Sequence, residues 1–84
     1  MLLYQLTTPE PNGVFRLVCN TDAILLRQDA VYLLCQQRSW PTTKLYVLEK
    51  DMTARHVALA GGFVPLTDEQ WVALTLSADK VILC

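Results

Sequence analysis

The chain has 84 residues, 52% of them hydrophobic, and its seven basic and eight acidic side chains leave a net charge of −1. That length bounds it to a single domain over residues 1–84 with one small core, and charges so few and scattered give no footprint for a phosphate backbone, so direct nucleic-acid binding is not expected. The longest unbroken apolar run, Ala30 to Cys35, falls far below the roughly 18 residues that suggest a membrane span, so no membrane association is expected either.

So much apolar side chain on so small a body implies a face covered by another subunit. The opening Met1-Leu2-Leu3-Tyr4-Gln5-Leu6 lacks the basic start and long apolar stretch of a signal peptide, which places the protein in the cytoplasm. Three cysteines, an odd and sparse set, fit reduced thiols there better than a disulfide framework.

In chain order, Met1 to Leu6 is apolar enough for a buried first strand, and Thr7 to Gly13 is a turn-rich loop. Val14 to Val18 reads as a short helix that Cys19-Asn20-Thr21-Asp22 closes. Ala23-Ile24-Leu25-Leu26 has no polar interruption and suits a strand buried on both faces. Asp29 then caps a helix running to about Gln37, with Val31, Leu34 and Cys35 on its inward face. Trp40-Pro41 stops the chain, and Lys44 to Leu48, rich in branched and aromatic residues, is the third strand. Asp51 caps a short helix through about His56, and Val57 to Gly62 forms a loop. Phe63 to Leu66 is a fourth strand whose Pro65 suggests an edge or a strand end. Thr67 and Gln70 write a capping box for a helix with Trp71, Leu74 and Thr75 on one face. Val81 to Cys84 closes the chain as a last strand.

Strands alternate with helices through connections too long for hairpins, which predicts an α/β fold: a small, mostly parallel sheet with helices on both faces. Right-handed crossovers bring the loops after Leu6, Leu26, Leu48 and Leu66 to one edge, where Gln28, Asp29, Asp51, Arg55 and Thr67 converge on a rim. Asp51 and Arg55 are spaced i, i+4, as for a helix-surface ion pair. Arg55 also suits an anchor at a subunit boundary, because its planar fork makes two directed bonds.

Chemistry finds few footholds. His56 is the only imidazole and no two cysteines have zinc-site spacing, so no metal is expected. Three glycines cannot write a dinucleotide or phosphate-binding loop, so no cofactor is expected. Nothing marks Ser39 or Ser77 as a nucleophile on a sharp elbow. Only thiol chemistry stays open, and a working thiolate wants a helix amino terminus, a cationic neighbour and exposure. Cys19 sits near a helix carboxyl end, where the dipole disfavours negative charge, and reads as a packed thiol; it is the one alternative catalytic candidate. Cys35 reads as core and Cys84 as a frayed end.

Three stretches together resemble the DsrH/TusB family of sulfur-relay subunits. Leu25-Leu26-Arg27-Gln28-Asp29-Ala30-Val31-Tyr32 is similar to the family's L-L-x-Q-D-G-V-Y. Leu45 to Arg55 is similar to its Y-x-L-x-x-D-x-x-A-R-G. Gly62 to Leu66 with Trp71-Val72-Ala73-Leu74-Thr75 is similar to its closing strand and F-V-x-L-T helix. The resemblance implies a DsrEFH-like, flavodoxin-like three-layer fold. It also implies a non-catalytic subunit of a cytoplasmic heterohexamer with TusC-like and TusD-like (DsrF-like and DsrE-like) chains, passing persulfide sulfur toward 2-thiouridine at the tRNA wobble position. The alternative it implies is a DsrH-type persulfide carrier in dissimilatory sulfur oxidation, using a cysteine of its own. The position matching the DsrH-type first-helix cysteine is Val14, which makes the chain look more like the TusB type. Ala30 and His56 stand where the motifs have glycine, so a left-handed backbone at either would be strained.

Overall fold

The computed structural model describes residues 1–9, 13, 16–35 and 40–83. Strands β1 (Leu2–Leu6), β2 (Ala23–Leu26), β3 (Lys44–Leu48), β4 (Phe63–Leu66) and β5 (Lys80–Leu83) form one sheet in the order β4-β3-β2-β1-β5. Every neighbouring pair is parallel, and the α/β class read from the alternation of elements holds. All four residues of β2 are fully buried, because a central strand of a parallel sheet presents both its faces to covered layers. Ile24 and Leu26 join Tyr4, Leu6, Leu45, Val47 and Phe63 on one face, while Ala23 and Leu25 join Leu3 and Leu66 on the other.

Handedness decides what covers each face. The first three crossovers step the same way along the sheet and therefore lie on one side; the fourth returns from β4 past β1 to β5 and lies on the opposite side. A 3₁₀ helix, Gln28–Cys35, and α1, Glu49–Ala54, follow β2 and β3. They bring Val31, Leu33, Leu34 and Met52 into the first core, where Trp40 meets Phe63 edge to face at 5.0 Å. Among the described residues α2, Asp68–Ser77, is the helix that serves the second core, through Trp71 and Leu74. Its start is as read from sequence: the Thr67 hydroxyl accepts the Gln70 N–H at 3.3 Å, and the Gln70 side chain accepts the Thr67 N–H at 2.9 Å. Pro65 does lie on an edge strand.

Three expectations need correcting. The segment after β2 is a 3₁₀ helix, with three residues per turn, so residues three apart eclipse one another. Ala30 with Leu33 and Val31 with Leu34 therefore face the core, while Asp29, Tyr32 and Cys35 form one exposed edge. Cys35 is not a core thiol. The helix after β3 begins at Glu49, because the strand runs straight into it; its N-cap is Leu48 with no side-chain cap bond, so Asp51 is not a cap but its third residue. Of the expected helix over Val14 to Val18, Val14 and Phe15 lie outside the described residues, as do Gln36, Gln37 and Cys84. No described helix is long and apolar enough to cross a membrane.

Candidate functional site

In a parallel sheet the carboxyl ends of β2 and β3 share an edge, and the first turns that leave them meet there. Four of the rim residues named from sequence lock together at this point. The Asp51 carboxylate accepts the backbone N–H of Gln28 at 2.9 Å through one oxygen and lies 3.7 Å from an Arg55 Nη through the other. Arg55 Nε–H donates to Asp29 at 3.0 Å. Asp29 is therefore not the N-cap of its helix; it lies inside it and reaches across to α1. Asp51, whose side chain is 15% exposed, is the hub, whereas Asp29 at 64% stands in solvent.

Two residues of this cluster's backbone are left-handed. Gln28 has φ of +50° and His56 of +53°; Ala30, the other position where the family motif carries glycine, does not share that conformation. His56 follows the C-cap Arg55 of α1. The His56 N–H bonds the Thr53 carbonyl at 3.1 Å and the Val57 N–H bonds the Met52 carbonyl at 3.0 Å, the pattern of a Schellman motif in which the C′ residue is left-handed. That explains why glycine suits position 56. At Gln28 the bond to Asp51 holds the strained turn that reverses the chain from β2 into the 3₁₀ helix.

Thr67, the fifth rim residue, does not join this cluster. It lines a neighbouring open cleft of about 510 Å3 between α1 and the start of α2, with Glu49, Lys50, Thr53 and Leu66. Across it Lys50 pairs with Asp68 at 3.5 Å, both side chains well exposed.

The two described cysteines stand apart from the rim. Cys19 is exposed rather than packed, and it precedes β2, at the amino edge of the sheet. Cys35 ends the 3₁₀ helix seven residues after Gln28, about 14 Å along its axis at that helix's rise. No group of three or more metal-ligating side chains gathers among the described residues.

Two further arrangements were not read from sequence. Buried Asp22 accepts the Cys19 N–H at 3.0 Å and the Leu2 N–H at 3.1 Å, and its carbonyl accepts the Thr42 hydroxyl at 2.7 Å, so one residue ties β1, the entry to β2 and the approach to β3. The Cys19 and then the Leu2 amide hold its carboxyl below the usual aspartate range. At the opposite edge, Arg27 lies 4.2 Å over the Trp71 ring and donates to buried Gln5 at 3.2 Å. Asp22 had a local signal in its place just before an all-apolar strand. The Arg27 stack had none, since its partners lie 22 and 44 positions away.

A family model described as DsrH like protein matches residues 7–81. The chain belongs to the DsrH-like family. No curated protein matches it in a sequence comparison. Within the DsrH-like family the chain is a sulfur-relay protein, and the family generally acts in complexes with DsrE-like and DsrF-like partners. The resemblance carried by Leu25 to Tyr32, Leu45 to Arg55 and Gly62 to Thr75 thus holds, and the first two of those stretches supply the locked rim.

Proposed function

We propose that this chain is a non-catalytic subunit of a cytoplasmic hetero-oligomeric relay. Its companions are TusC-like and TusD-like chains, and the complex passes persulfide sulfur toward 2-thiouridine at the tRNA wobble position. One observation carries the non-catalytic part: the charged side chains Asp29, Asp51 and Arg55 of the rim are paired with one another, and neither described cysteine stands among them. The Asp51–Gln28 bond and the Arg55–Asp29 ion pair brace α1 against the start of the 3₁₀ helix, which suits a surface that must hold its shape for a partner. Exposed Leu17, Val64, Val72, Leu76 and Leu83 supply apolar surface for such an assembly.

Co-expression with TusC-like and TusD-like chains gives one stable complex on this reading, and replacing all three cysteines by serine leaves wobble-uridine thiolation unchanged. A chain that stays monomeric beside those companions, or thiolation that collapses with one cysteine, rejects it. A second reading draws on the exposure of Cys19: a DsrH-type carrier in dissimilatory sulfur oxidation. Intact mass after incubation with a persulfide donor separates the two, since only a carrier gains one sulfur atom at a defined cysteine on the way to turnover.

A further inference from the structure

At the carboxyl edge two described cations have carboxylate partners and a third does not. Arg55 takes Asp29 and Asp51, and Lys50 takes Asp68. Arg27 faces no carboxylate within ion-pair distance among the described residues, although its guanidinium is partly withdrawn from water over Trp71. Its one side-chain acceptor there is the neutral amide oxygen of Gln5. Arg27 Nε and Trp71 Nε1 are both buried without an acceptor among the described residues. A partly desolvated cation with no counter-charge among the described residues is short of the compensation that an anion would supply.

The geometry points to Arg27 and Trp71 as the anchor for a carboxylate side chain presented by a different protein chain. The planar fork of arginine takes a carboxylate through two parallel bonds, and the indole holds the fork in place before the partner arrives. Leu83 argues for a macromolecular occupant over a free oxyanion. It lies opposite Gln5 in the β1–β5 register, on the same face, and is 73% exposed. A small ion would leave that leucine in water, whereas a protein surface covers it together with the charge. Tryptophan, arginine and an apolar flank are the composition of interface hot spots. A second copy docking face to face through this patch brings two Arg27 side chains together, and their repulsion disfavours it.

This inference rests on the relay-subunit reading and names where one companion is gripped. Its test is the complex of the full chain co-expressed with its DsrE-like and DsrF-like companions. Arg27→Met keeps the apolar stem against Trp71 and removes the charge; it raises the dissociation constant at least about tenfold, with Arg27→Lys in between. Leu83→Glu, at an exposed position, places a negative charge beside the expected carboxylate and weakens the complex without touching the fold. Melting curves of each variant alone establish that it is folded. Affinities within about twofold of wild type for Arg27→Met and Leu83→Glu overturn the anchor while leaving the relay reading intact. So does a homodimer of the wild-type chain that Arg27→Met dissociates. A wild-type chain that ignores the companions removes the relay reading and the anchor together.

Discussion

His56 and Asp51 show how individual residues set the shape of the rim. A side chain in the left-handed region costs about 1–2 kcal/mol, partly offset in glycine by its greater loss of freedom on folding. His56→Gly should therefore raise stability by about 0.5–1 kcal/mol, read as a higher urea midpoint at unchanged slope, and His56→Val should lower it. Asp51→Ala removes the acceptor for the Gln28 N–H and uncouples Arg55. A loss of about 1–2 kcal/mol is expected, against less than about 0.5 for Asp29→Ala, whose carboxylate is mostly in water. Equal losses at the two positions would remove Asp51 as hub. Asp22 predicts a pH dependence. Its carboxyl is held low in the folded state, so the unfolded chain takes up the proton first as the pH falls. The stability it contributes is present above the ordinary aspartate value of about 3.9 and is lost below it as the pH falls through the folded value. Acid unfolding of Asp22→Asn should start from lower stability and show a shallower slope in that range.

At the scale of elements, what could be read from sequence is what each segment decides for itself. Ala23–Leu26, Lys44–Leu48 and Phe63–Leu66 form strands with the bounds their residues imply, because unbroken or branched apolar runs have few alternatives. The Thr67–Gln70 box is equally local, and Thr67→Ala should cost about 1 kcal/mol in a denaturant titration. The 3₁₀ helix is hidden in the sequence for a physical reason. Tyr32 and Cys35 count as apolar, which hid a two-in, one-out period of three behind an approximate α-helical one. Of the rim's partnerships only Asp51 with Arg55, one helical turn apart, is legible locally; Gln28 with Asp51 and Asp29 with Arg55 are 23 and 26 positions apart, and only the sheet's topology joins them. Asp51 reads as a cap of its own helix for the same reason.

For the molecule as a whole, the surface is ordinary in extent: 5020 Å2, against about 5,000 Å2 expected for a folded monomer of 9.5 kDa. What sets it apart is its character. Both edges of the sheet carry an exposed apolar side chain, Val64 on β4 and Leu83 on β5. Edge strands of this kind invite further pairing, and Pro65 blunts one of them. Pro65→Thr should keep the fold but increase self-association, measured by light scattering of the isolated chain; unchanged scattering would show that the proline is there for the turn alone. The return of α2 across the sheet has a consequence for the cell. Among the described residues the 3₁₀ helix and α1 cover one side and a single ten-residue helix the other, so under the relay reading proposed above a newly made copy waits half-sheltered until its companions dock. Deleting their genes should shorten its half-life, and its abundance would then track theirs rather than its own transcript.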